Sequence, residues 1–261
     1  MYPIVSLFGL SLGTYGICCV IGGALAIWLA IRNGKRFQQD RFAMLEACVW
    51  ALIGGFLGAK LLYLIVSFSD IVEMFQTSGF NWNTISSLLE GGFVFYGGLL
   101  GGLAALLLYL HHFQLPYGVY LSSITPAVPL AHAFGRIGCF FAGCCYGRET
   151  DSWFSITFTH SDFAPNGVKL LPTQLMSSAG DFLICGLLLL YAGRKPKEGQ
   201  VAAGYMVLYG IGRFIIEFFR NDYRGSIGVL STSQIISIGV VAAGVVFYLV
   251  MNFRNCKGVT P

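Results

Sequence analysis

The chain has 261 residues, of which 56% are hydrophobic and only 11% charged, and its mean hydropathy is +0.70; soluble domains carry about 25% charged residues. That excludes an ordinary soluble enzyme and predicts an all-α, polytopic integral membrane protein. A net charge of +4, scattered rather than clustered, leaves no basis for a nucleic-acid partner, and no long linker divides the chain, so a single membrane domain over residues 1–261 is expected.

The first apolar span runs from about Leu10 to Ile31 with no basic residue before it, which reads as an uncleaved helix rather than a secretory signal. Further apolar stretches fall at about Met44–Phe68, Gly92–Leu110, Tyr117–Phe141, Gln174–Ala192, Val201–Phe219 and Gly228–Phe253. Each is near the roughly 20 residues that cross a hydrocarbon core, giving about seven transmembrane helices. Arg32, Lys35, Arg36 and Arg41 follow the first span, Arg194, Lys195 and Lys197 the fifth, and Arg254 and Lys257 the last. The positive-inside rule makes these connections cytoplasmic and puts the N-terminus outside. Two polar segments, about Ser69–Glu90 and Tyr146–Pro172, then lie outside as well.

With orientation fixed, the polar groups inside the spans share one depth. Tyr15, Lys60, Tyr96, Arg136, Arg213 and Glu217 all fall in the outer half, as one cavity opening toward the outer leaflet requires. A guanidinium cannot shed its charge and is costly in hydrocarbon, so Arg136 is a candidate site residue, the alternative being an arginine that locks two helices. In YGIGRFIIEFFR, Tyr209, Arg213 and Glu217 stand at i, i+4 and i+8 on one helix face, with Arg220 a turn beyond. Arg213 and Glu217 either neutralise each other or form part of a site. Lys60, Arg136 and Arg213 outnumber Glu217, and a phosphate suits that cationic excess. Gly97, Gly98, Gly101 and Gly102 are spaced for close helix approach in lipid.

Seven of the eight cysteines divide into two groups. Cys18, Cys19, Cys48 and Cys185 read as small core residues of apolar helices. Cys139, Cys144 and Cys145 cluster near Arg136, where cationic surroundings favour a reactive thiol. The spacing H-x6-C-x4-C-C matches no familiar zinc pattern, and neither a metal nor a cofactor is expected.

Taken together, Tyr15-Gly16, LGAKLLY at 57–63, FYGGLLGG at 95–102, GRIGCFFAGCCYGR at 135–148, LPTQL at 171–175, YGIGRFIIEFFR at 209–220 and LSTSQIISI at 230–238 resemble the prolipoprotein diacylglyceryl transferase family, in order and over nearly the whole chain. The resemblance implies a seven-helix enzyme of the bacterial plasma membrane, active at the outer leaflet, whose partners are phosphatidylglycerol and prolipoprotein signal peptides. It would move a diacylglyceryl group to a cysteine thiol and release glycerol phosphate. It also implies that Arg136 and Arg213 hold the phosphate, Glu217 fixes Arg213, Tyr15 and Tyr209 line the headgroup pocket, and Gly143 and Gly147 let the next loop fold over it. Lys60, Gly97, Gly98 and Cys139 join the substrate-binding set. Two positions depart from the family: Tyr96 stands where histidine is usual before the paired glycines, and Cys139 where asparagine usually follows GRIG. A tyrosine of ordinary pKa near 10 is a poor base at neutral pH. Either Tyr96 with a lowered pKa or His132, one turn before Arg136, would take the thiol proton, unless His132 only packs. The alternative function is a divergent relative that binds or transports an anionic lipid or sulfur-bearing ligand without the transfer.

Overall fold

A computed structural model describes residues 4–7, 10–90, 92–161, 163–221, 226–227 and 230–256. Of the basic pair that closes the chain, Lys257 lies outside the described residues.

The protein is mostly helical. An antiparallel hairpin of β1 (Ile4–Leu7) and β2 (Leu10–Gly13) leads into α1 (Thr14–Gly34). The first apolar span therefore begins as a strand and turns helical only at Thr14. After α2 (Arg41–Val66), the polar segment folds into two short helices, α3 (Phe68–Ser78) and α4 (Trp82–Glu90), before α5 (Phe95–His112). Two-stranded ladders, β3 (Ile156–Thr157) with β4 (Lys169–Leu170) and β5 (Ser226–Ile227) with β6 (Leu230–Ser231), precede α8 (Thr173–Gly193) and α10 (Thr232–Cys256) respectively, with α9 (Gln200–Glu217) between.

The fourth predicted span is not one helix but two, α6 (Tyr117–Ile124) and α7 (Ala127–Ala142). Pro126 brings no N–H to the Ser122 carbonyl one turn back, so the ladder fails there. Asn33, 1% exposed, supplies the missing donor: its amide reaches the carbonyls of Ser123 at 3.0 Å and Ser122 at 3.4 Å.

Among the described residues, four helical segments are long and apolar enough to cross a membrane: Thr14–Phe37, Arg41–Val66, Thr173–Gly193 and Thr232–Phe253. In Arg41–Val66 only 6% of the apolar window is buried inside the protein, and side chains such as Leu57 and Leu61 are exposed. So much uncovered apolar surface is tolerable only in lipid.

The chain forms two compact units. One comprises residues 40–117, where α2 and α5 pack along their glycines. A Cβ on Gly101 would meet Gly58 Cα at 2.8 Å as well as the Gly54 carbonyl oxygen, so only glycine lets these backbones approach so closely. The other comprises residues 1–39 and 118–261. In it α1 packs on α7, α7 on α8, α8 on α9 and α9 on α10. Its core joins Ile184 and Leu188 of α8 to Val201 of α9. Phe158, Ala164 and Leu170 form a second apolar cluster under the arm between α7 and α8.

Candidate active site

The unit built from residues 1–39 and 118–261 encloses a cavity of about 240 Å³ lined from α7 by His132 and Arg136, from α8 by Asp181, and from α9 by Tyr209 and Arg213, with Arg220 just beyond. Gly180 and Gly212 also line it, and a Cβ on Gly180 would meet nothing within 4 Å. Two charge networks enter from opposite sides.

On the α7 side, Arg136 Nε donates to His132 Nε2 at 3.1 Å. Four residues apart, the two side chains share one face of the helix. Nε2 must therefore be unprotonated, which puts the proton of the neutral ring on Nδ1. Nδ1 lies 2.9 Å from Oδ2 of Asp181, and Asp181 is 4% exposed. An aspartate on α8 thus sets the tautomer of a histidine on α7, and the histidine orients the arginine. In this arrangement the guanidinium of Arg136 occupies the acceptor lone pair of His132.

On the α9 side, Arg213 Nη1 pairs with Glu217 Oε2 at 2.6 Å within the helix. Arg213 Nη2 donates to Ser233 Oγ at 3.0 Å, and Ser231 Oγ donates to Glu217 Oε1 at 2.9 Å. Gln234 Oε1 accepts from the Ser231 backbone N–H, and the Gln234 N–H donates to Ser231 Oγ, so the start of α10 holds the pair in place. The rings of Tyr209 and His132 meet edge to face, with centroids 5.6 Å apart.

Around this cavity Arg136, Arg213 and Arg220 face Asp181 and Glu217.

Behind Arg136, α7 ends at Gly143, whose φ of +76° is left-handed. A Cβ there would meet the Ser161 hydroxyl and, at 2.8 Å, Ser161 Cβ. At Gly147 a Cβ would lie 2.7 Å from the Leu171 carbonyl oxygen, and the Gly147 N–H donates to that same oxygen at 3.0 Å. Gly147 also bridges Arg220, and the Arg148 N–H donates to the Phe219 carbonyl, so the arm after α7 is fastened to the exit of α9. Thr173 Oγ1 and Gln174 Nε2 hold the carbonyls of Cys145 and Cys144 at 2.9 and 2.7 Å. The sulfurs of Cys139, Cys144 and Cys145 all lie within 4.8 Å of one another. The Cys145 thiol is drawn below the ordinary range by hydrogen bonds from Cys139 and Cys144 first, and by the Arg220 guanidinium after them.

The other sequence candidates lie elsewhere. Tyr15 sits in the α1–α7 seam, 3.0 Å from where a Cβ on Gly138 would stand, rather than among the residues lining the cavity. Lys60, Tyr96, Gly97 and Gly98 belong to the 40–117 unit. There Lys60 Nζ donates to the Leu88 carbonyl and lies 5.0 and 4.9 Å from the ring centres of Tyr63 and Phe93. Gly97 and Gly98 form part of the α2–α5 seam, and Tyr96 is exposed at the start of α5. Of the cysteines read as core, Cys48 and Cys185 are buried, Cys18 is partly buried, and Cys19 is exposed. Sequence reasoning missed Asp181 and the roles of Ser231 and Ser233. Asp181 carried the same signal as Arg136, a lone ionisable group in an apolar helix.

Lipid-facing helices around a cavity lined by Arg136, Arg213 and Arg220 define a membrane protein with an internal cationic site. A sequence model of the family described as prolipoprotein diacylglyceryl transferase matches residues 3–250. A phosphatidylglycerol–prolipoprotein diacylglyceryl transferase of Clostridium tetani is 38% identical over 256 residues, 98% of this chain and 100% of the relative. The enzyme numbered 2 of the same name in Clostridium perfringens is 39% identical, covering 97% of this chain and 94% of the relative. One from Finegoldia magna is 33% identical, covering 94% and 93%. This chain belongs to the prolipoprotein diacylglyceryl transferase family and is a bacterial membrane transferase.

Proposed function

We propose that the protein transfers the diacylglyceryl group of phosphatidylglycerol to the lipobox cysteine of prolipoproteins at the outer leaflet of the plasma membrane, releasing glycerol phosphate. The observation that carries this reading is the pair of arginines on α7 and α9, Arg213 paired with Glu217 and Arg136 held through the His132–Asp181 couple, both lining one cavity. A C–S bond forms as the C–O bond to phosphate breaks. The phosphate keeps that electron pair, and Arg136 and Arg213 stabilise its charge as donors fixed in advance. Glu217 and the His132–Asp181 couple act as positioning residues, and Tyr209 lines the headgroup pocket. In this reading Tyr96, at the start of α5, is the base that takes the thiol proton. Gly143 and Gly147 let the following arm fold back beside the cavity. Tyr15 and Cys139 complete the substrate-contacting set.

In the same reading residues 1–261 form one membrane domain of seven spans with the N-terminus outside. The four long apolar helices supply four of these, and α5, the α6–α7 pair and α9 supply three. Cysteine labelling on a cysteine-free background should then reach positions 77 and 163 from outside and positions 38 and 196 only after permeabilisation. Inverted labelling would reject the outer-leaflet site. The activity itself is tested with purified protein, labelled phosphatidylglycerol and a lipobox peptide: diacylglyceryl peptide is expected, and lipid binding without product would overturn the proposal.

A further inference from the structure

Three thiols crowd the end of α7 without a disulfide among them. We propose that Cys139, Cys144 and Cys145 form a three-thiolate site for a soft, thiophilic metal ion. The sequence spacing conceals it, because the ligands meet only through two left-handed residues, Gly143 at φ +76° and Cys145 at φ +60°. A metal–sulfur distance of about 2.3 Å places three sulfurs about 4 Å apart around a trigonal ion, and these sulfurs already lie within 4.8 Å of one another. A disulfide would require one pair to close to about 2.05 Å, and the adjacent Cys144–Cys145 pair is poorly suited to it.

The ligand set selects the class of ion. Among the described residues no histidine or carboxylate joins the group, so the donors are sulfur alone, which favours soft ions over magnesium or calcium. Three protein ligands leave a fourth position open. Charge agrees as well: three thiolates around a divalent ion carry one net negative charge, and the guanidiniums acting on these sulfurs are Arg136 and Arg220. The backbone is held in place beforehand, since buried Thr173 and Gln174 fix the carbonyls of Cys145 and Cys144. On binding, each metal–sulfur bond replaces an S–H bond and the proton passes to solvent.

The probe is Cd2+, added to the full-length protein in detergent with a phosphine reductant, in a variant with Cys18, Cys19, Cys48, Cys185 and Cys256 replaced by alanine. Thiolate-to-cadmium absorption should saturate at one ion per chain, with all three remaining thiols shielded from alkylation. Cys145→Ser and, separately, Cys144→Ser should weaken binding at least about 100-fold, since loss of even an outer-shell partner costs 10- to 100-fold. Should those variants fail to fold, mass-spectrometric mapping of alkylation in the unaltered chain reads the same shielding at Cys139, Cys144 and Cys145. Fewer than three titratable thiols before Cd2+ is added, shielding of only one or two, or unchanged affinity in a folded serine variant would each overturn the site. None of these readouts depends on transferase activity.

Discussion

Lys60 and Arg213 are both cations placed in apolar helices, yet the two regions that hold them solve the problem differently. In the 40–117 unit, Lys60 is satisfied by neutral groups, a backbone carbonyl and two aromatic faces, beside helices joined by glycine. In the other unit, Arg213 has a carboxylate at 2.6 Å and a serine beyond it, and Arg136 has a histidine backed by a second carboxylate. Packing alone requires no such relay. Arginines held by Glu217 and by the His132–Asp181 couple suit the proposed phosphate, whereas Lys60 is satisfied by neutral groups.

That contrast breaks most visibly at the arginines. Arg136→Ala and Arg213→Ala should each lower kcat/KM about 100- to 1,000-fold in the labelled-lipid assay, the loss for one preorganised donor to a developing anion. Lysine at either place should recover only part, because it lacks the planar fork. Near-normal turnover in either alanine variant would reduce the cavity to a structural ion-pair network. Next come the positioning residues. Asp181→Asn and His132→Gln should cost about 10- to 100-fold through misplacement of Arg136, by the same factor from about pH 6.5 to 8.5. A loss confined to the lower end, where the incoming thiol is still protonated, would instead make His132 the base.

The α2–α5 seam should respond in stability rather than chemistry. Gly101→Val overpacks the α2–α5 seam and should cost about 1 to 3 kcal/mol, read as a lower melting temperature in detergent, with kcat/KM per folded molecule unchanged. Lys60→Met should have the smallest effect. Removing the cation from two ring faces costs about 1 kcal/mol, and KM for phosphatidylglycerol should stay within about threefold. A large rise in KM would return Lys60 to the lipid site.

The arginines, Tyr209 and Glu217 were legible in the sequence because one helical period and the cost of charge in lipid both single them out. Asp181 obeys the same rule but stands among serine, glycine and alanine with no basic residue near it in sequence, and its partner His132 lies on a different helix. Ser231 and Ser233 carry no signal of their own, since a serine becomes an arginine or carboxylate partner only once tertiary structure brings the charge to it. The joint depth of Lys60 and the arginines in the predicted spans gives no information on what each cation touches, and Lys60 finds its acceptors within α4 and its surroundings. The break at Pro126 was readable in principle from proline chemistry, but the apolar stretch from Tyr117 to Phe141 was long enough to read as one span.

The arm after α7 closes on itself. Leu171 accepts from the Gly147 N–H and donates to the Arg148 carbonyl, and the Thr150 N–H donates to the Lys169 carbonyl, so the ends of the excursion are tied together before its tip begins. For a chain closed in that way, the entropic penalty grows only with the logarithm of length, and doubling the loop adds about 0.6 kcal/mol. The tip near Trp153, 95% exposed, is therefore a point where an epitope or a fluorescent peptide can be inserted at little thermodynamic cost. A reporter placed there would travel with the ladder that meets the end of α9, and it would sense rearrangement at the cavity's edge without replacing any residue that lines it.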